Sequence, residues 1–177
     1  MTVVNRSYLL AAKPIVDMHG KKLTGPGGTS YGLGEAGYDI RIKQEIVFNR
    51  HGGDRLGVEI AMSPTPEHKR GYWAWSAGRF VLASAMEAFT MPPDLMGIVH
   101  DKSTWARRGL SVFNTVIEPG WNGFLTLELV YHGNTELTIP AGSGIAQVIF
   151  HEVEEKARYR GKYQNQGDEP VAAIDSE

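Results

Sequence analysis

Ile117-Glu118-Pro119-Gly120-Trp121-Asn122-Gly123-Phe124-Leu125-Thr126-Leu127-Glu128-Leu129-Val130-Tyr131 reads as a turn followed by a strand. Pro119-Gly120 marks the turn. Along a strand the side chains alternate, so Leu125, Leu127 and Leu129 share one face and Thr126, Glu128 and Val130 share the other. Three leucines on one face belong to a core. Glu128 then projects from the opposite face of a rigid strand. If that face lines a cleft, burial raises its pKa and suits it to general acid–base work. A solvent-facing glutamate on a half-exposed sheet has the same pattern.

Working outward, similar short runs recur at 38–48, 80–89, 95–100, 110–117, 137–139 and 145–153. Many are rich in β-branched or aromatic residues, and Gly and Pro lie between them. This spacing predicts an all-β fold, a sandwich or barrel with few short helices. Helices are expected only at 5–12 and 103–107, the second starting on Ser and Thr, which favour helix N-caps. Residues 19–37 hold seven glycines and predict a loop. Residues 49–78, with Gly52-Gly53, Pro64 and Pro66, predict an irregular insertion. The acidic, polar stretch 167–177 predicts a mobile tail after a single domain over 1–166.

Bulk properties narrow the function. At 177 residues and 42% hydrophobic composition, the chain can build one sizeable core. No apolar run approaches the roughly 18–20 residues that span a membrane. Residues 1–13 lack the apolar core of a signal peptide, so a soluble cytoplasmic protein with no membrane partner is expected. There is no cysteine. Disulfides, thiolate nucleophiles and the cysteine-based zinc site of the common nucleobase deaminases are therefore excluded. A net charge of −2 and a pI near 6.3 argue against a general nucleic-acid binder. Any basic cluster must be local, which suits a small polyanion.

Two local clusters fit that description. Asp101-Lys102-Ser103-Thr104-Trp105-Ala106-Arg107-Arg108 places two hydroxyls and three cations within eight residues. A helix starting there offers free backbone N–H groups to an anion. Lys156-Ala157-Arg158-Tyr159-Arg160-Gly161-Lys162 carries four cations in seven residues, followed by Tyr163 and Gln166. Such a segment could close over a polyphosphate, with Gly161 as its flexible point. Read alone, the first also fits a capped surface helix and the second a solvated basic tail. The six histidines show no familiar metal spacing, and the glycine-rich stretch lacks the Gly-Lys-Ser/Thr ending of a phosphate-binding P-loop. Trp73 and Trp75 share a strand face and read as packing or an interface.

Taken in order, these segments resemble the dCTP deaminase family, a branch of the trimeric dUTPase-like fold. The likeness rests on Gly37-Tyr38-Asp39-Ile40-Arg41, Lys102-Ser103-Thr104-Trp105-Ala106-Arg107 with Gly109-Leu110, and Ile117-Glu118-Pro119-Gly120-Trp121 through Leu127-Glu128. Pro140-Ala141-Gly142 through Ile145-Ala146-Gln147 and Gly161-Lys162-Tyr163-Gln164-Asn165-Gln166 complete it. It is dense over 80–166 and sparse before. The resemblance implies a distorted β-barrel or jelly roll, a homotrimer with active sites between subunits, and a C-terminal lid at about 154–166. It implies a hydrolase acting on a cyclic amidine C–N bond, taking dCTP and water to dUTP and ammonia without zinc. Mg2+ would ride on the triphosphate, with no protein side-chain ligand. Glu128 would shuttle the proton, with Ser103 and Arg107 holding the water and stabilising charge. Lys102, Thr104, Tyr159, Lys162 and Gln166 would hold phosphates, and Ile117 and Trp121 would sit near base and sugar.

Two departures from the family pattern bear on substrate. The 110–118 segment is one or two residues short, which leaves open cytosine, a modified cytosine or uracil. Glu118 stands where relatives carry Asp. That position activates water for pyrophosphate release in dUTPases, so a dUTPase or bifunctional activity is the alternative reading. A non-catalytic nucleotide-binding trimer is the second.

Overall fold

The structure, a computed structural model, describes residues 2–50 and 55–175. In chain order its strands and helices begin β1 (Val3–Val4), α1 (Arg6–Ala12), β2 (Lys22–Thr24), β3 (Ser30–Leu33), β4 (Tyr38–Arg41), β5 (Ile46–Arg50) and β6 (Leu56–Met62). They continue β7 (Tyr72–Ala77), β8 (Phe80–Thr90), β9 (Leu95–Asp101), α2 (Ser103–Ala106), β10 (Leu110–Val112) and β11 (Val116–Ile117). The last three are β12 (Asn122–Tyr131), β13 (Leu137–Ile139) and β14 (Gly144–Glu152).

Alternation dictates how these strands stack. Along β12, Leu125, Leu127 and Leu129 are buried while Thr126, Glu128 and Val130 are only partly so. Among the described residues three antiparallel sheets result. The largest orders β11-β9-β14-β4-β3-β2, with β1 also on β14. The second is β10-β12-β8, and the third is β13-β5-β6-β7. Their inner faces share one core, from Phe150, Val148 and Ile40 of the first sheet to Leu129 of the second and Phe48 of the third. The all-β expectation with short helices holds.

Several local expectations differ. Run 38–48 is not one strand: β4 ends at Arg41, and β5 starts at Ile46 in another sheet. Run 110–117 likewise splits, β10 pairing with β12 and β11 with β9. Period-two alternation persists through such a crossing, so sequence alone does not show where a chain changes sheets. The glycine-rich stretch 19–37 is not a loop, because β2 and β3 pair within it around a tight turn at Pro26–Gly28. The 49–78 insertion is largely regular. β6 and β7 extend β5, burying Val58 and Ile60, and Pro64 and Pro66 lie in the connection between them. Gly52 and Gly53 lie outside the described residues. Within the tail, residues 168–174 hydrogen-bond to the rest of the protein.

Candidate active site

β8 and β12 lie in register with Ser84 opposite Thr126, Leu82 opposite Glu128 and Phe80 opposite Val130. Just before this stretch the register shifts between Phe124 and Thr126, a β-bulge of the kind that re-aims side chains beside functional sites. The outward face of these two strands floors a cavity of about 440 Å³, within the range of small-molecule sites. Glu128, Thr126, Leu82 and Phe80 line the floor. The chain that crosses between sheets supplies one wall, with Thr115, Val116, Ile117, Glu118 and Trp121. Tyr159, Tyr163 and Gln166 form another, and Val171 and Ala173 of the tail a third.

Most of this lining is apolar, and that decides the state of Glu128. Desolvation raises its carboxyl above the ordinary value of 4.5, against a smaller lowering effect from backbone hydrogen bonding. Its Oε2 is buried and has no hydrogen-bond partner among the described residues. A buried carboxylate oxygen without a donor is costly unless a ligand or water satisfies it. Glu118, the other carboxylate of the cavity, is exposed.

The segment 163–166 is tied to the turn before β12. The Trp121 indole N–H donates to the Tyr163 carbonyl at 2.7 Å. Gln164 accepts from the Asn122 N–H at 2.9 Å and donates to the Gly120 carbonyl at 3.0 Å. Gly123 and Gln166 form a parallel bridge, with the Phe124 N–H donating to the Gln166 carbonyl at 3.1 Å. Only glycine allows this approach. A Cβ on residue 123 would lie 2.7 Å from the Gln166 nitrogen, and its φ is +134°. Lys162 bonds the Ile174 carbonyl.

α2 stands apart from this cavity. Buried Trp105 fixes it, its indole N–H donating to the Gly144 carbonyl at 2.8 Å. Ser103, Thr104 and Arg107 are exposed on the helix and line no part of the cavity. Lys102, the N-cap residue, turns inward. Its ammonium pairs with buried Asp39 at 2.5 Å and with the Ser30 hydroxyl at 2.9 Å.

The family model described as dCTP deaminase-like matches residues 10–153, most of the chain. The chain belongs to the dCTP deaminase-like family. Among its relatives, "dCTP deaminase" of Helicobacter pylori (strain P12) is 34% identical over 160 residues, covering 82% of each chain. "dCTP deaminase" of Sulfurovum sp. (strain NBC37-1) is 35% identical over 151 residues, covering 81% of this chain and 80% of the other. A solved structure, the 2'-deoxycytidine 5'-triphosphate deaminase of Agrobacterium tumefaciens, shares the fold. It superposes with a TM-score of 0.50 at 16% identity, over 84% of this chain and 47% of that one.

In this dCTP deaminase-like chain the candidate residues fall into two sets. Glu128, Ile117, Glu118, Trp121, Tyr159 and Gln166 meet at the cavity. Lys102, Ser103, Thr104 and Arg107 do not, and Lys162 lies at the tail rather than in the lining. Sequence reading missed Leu82 and Phe80, which face Glu128 only once β8 is paired with β12. It also missed Val171 and Ala173, although the apolar stretch 171–174 inside an acidic tail was a usable signal.

Proposed function

We propose that the chain deaminates dCTP to dUTP and ammonia. The observation that carries this reading is the partnerless, buried Oε2 of Glu128 in a nucleotide-sized cavity, on a chain of this family. Glu128 takes a proton from water as its oxygen attacks C4 of the base, and passes the proton to the ring. Ammonia then leaves with a further proton, so one water is consumed for each amine released. The raised pKa of Glu128 supports the role, since a base that must also act as an acid works best near the operating pH.

Ser103 and Arg107 serve the same reaction from a neighbouring subunit, holding the water and stabilising developing charge. Their exposure on α2, away from their own chain's Glu128, supports a homotrimer with shared sites. Thr104, Lys162, Tyr159 and Gln166 hold the triphosphate. Lys102 adds charge at the same helix start while Asp39 positions it. Ile117 and Trp121 flank base and sugar. Among the described residues no three His, Cys, Asp or Glu side chains converge on a metal-sized site. Mg2+ would be carried on the triphosphate, where it would neutralise phosphate charge. Such an enzyme is a zinc-independent hydrolase of the cyclic amidine C–N bond and works in the cytoplasmic nucleotide pool. No described helix is long and apolar enough to cross a membrane.

Incubation with dCTP and Mg2+, following ammonia and dUTP, tests the reading; absence of turnover on dCTP and on 5-modified dCTPs sinks it. Glu118 on the cavity wall supports a second reading, pyrophosphate release to give dUMP. Its longer side chain shifts the carboxylate by about 1 Å relative to Asp, a displacement that can cost roughly 100-fold. dUMP formation that survives Glu118→Gln would remove that role.

A further inference from the structure

The segment following Gln166 is clamped over the cavity by residues from a distant part of the sequence. The Lys43 ammonium bonds Asp168 Oδ2 at 2.8 Å, the Asp168 carbonyl at 2.9 Å and Glu169 Oε1 at 2.7 Å. The Gln44 side-chain amide donates to Glu169 Oε2 at 3.4 Å. Lys43 and Gln44 are themselves fixed to the cavity floor. The Lys43 N–H donates to the Ser84 carbonyl and the Ser84 N–H to Gln44 Oε1, each at 2.8 Å. Ser84 lies opposite Thr126 in the β8–β12 register. Three residues beyond Asp168, the Val171 N–H donates to the Thr126 hydroxyl at 3.0 Å. Further along, the Ile174 N–H donates to the Tyr163 hydroxyl at 3.1 Å.

We infer that Lys43 is a positioning residue, a latch that holds 168–174 closed as the outer wall of the Glu128 cavity. The latch reads as a wall and not a plug because the cavity keeps about 440 Å³ with Val171 and Ala173 in its lining. Lys43 touches no cavity-lining side chain that is assigned to the reaction; it acts through the tail. Closing the tail excludes water from Glu128 and preorganises the pocket. A protein whose competent state is only partly populated binds its ligand weaker by that fraction. Opening the latch therefore weakens substrate binding more than it slows bound substrate. The role of the cavity rests on the proposed deamination; the latch itself does not.

Two measurements on the full chain test this. In amide hydrogen exchange without nucleotide, Lys43→Glu is expected to lose protection at Val171 and Ile174, while Lys43→Arg keeps it. Reversing the partners as well, with Asp168→Lys and Glu169→Lys in the Lys43→Glu background, should restore protection, which separates the latch from a folding defect. In dCTP turnover, Lys43→Glu should raise KM about threefold or more with kcat changed less, and the triple reversal should recover KM. Unchanged exchange at Val171 in a folded Lys43→Glu protein overturns the latch. A fall in KM overturns it too, since the tail would then be a plug. If the wild-type protein does not turn over dCTP, the deaminase reading fails while the exchange experiment still decides the latch.

Discussion

In the proposed deamination, Glu128 concentrates the chemistry and an energetic cost in one side chain. Glu128→Gln keeps the shape and removes the proton carrier, so deamination should fall by about 10²–10⁴-fold. A steady-state assay checks this. The same substitution should leave thermal stability unchanged or higher. The sign follows from the raised pKa. Burial disfavours the ionised form in the folded state, so Glu128 lowers stability once pH rises through its folded pKa. For activity the working base is lost as pH falls through that same value. The acid limb of kcat/KM should therefore lie above 4.5, the ordinary glutamate value, and vanish in Glu128→Gln. Asp168 and Glu169 act in the opposite sense. The Lys43 hydrogen bond lowers Asp168. Burial pushes Glu169 up, but its hydrogen bonds and the Lys43 charge together outweigh this and leave it lowered. Their contribution is present above the usual carboxylate range and is lost as pH falls below about 4. Tail protection in hydrogen exchange should drop in that window.

At the scale of elements, the bulge in the β8–β12 pairing and the Gly123–Gln166 bridge set the shape of the site. Gly123→Ala forces a side chain against the Gln166 backbone and requires a positive φ that alanine disfavours. The strain is of order 1–3 kcal/mol, and it falls on the segment around Gln166. KM for the nucleotide should rise about tenfold or more while the rest of the domain stays folded, which parallel kinetics and far-UV spectra would show. Glu87, beside the bulge, makes the opposite kind of contribution. It is buried and accepts from the Arg41 N–H and Nε, both at 2.8 Å. Glu87→Ala leaves that guanidinium without its partner and should cost about 3 kcal/mol in denaturant unfolding. Much of this scale was legible in the sequence. Leu125, Leu127 and Leu129 announced the buried face of β12, and Pro119-Gly120 the turn before it. Sheet changes at 42–45 and 113–115 were not, because alternation looks the same on either side of a crossing. The β6–β7 pair was hidden by the glycines and prolines around it, although Val58 and Ile60 carried the signal.

For the whole molecule, the separation of α2 from the Glu128 cavity is the governing fact. The resemblance groups Lys102, Ser103, Thr104 and Arg107 with Glu128 in a site between subunits, and within one chain these four residues line no part of the cavity. If two subunits build each site, Ser103→Ala and Glu128→Gln proteins are each inactive, yet mixed and exchanged trimers should regain activity. Random assortment of equal amounts pairs an intact Ser103 with an intact Glu128 in about a quarter of sites. Recovery near that fraction supports shared sites, and no recovery after verified subunit exchange refutes them. The cavity-lining candidates were legible one by one, whereas the absence of α2 from the lining required the fold.

The place of β14 has a consequence for synthesis. It lies between β9 and β4, and β1 pairs with its far end, Val3 facing His151. The chain's first strand and the middle of its largest sheet thus wait for residues 144–152 to leave the ribosome. Until then β4 and β9 present unpaired edges, and such edges template aggregation. Nascent chains halted before residue 144 should be protease-sensitive and bound by holding chaperones, and protection should arrive in one step once Glu152 has emerged.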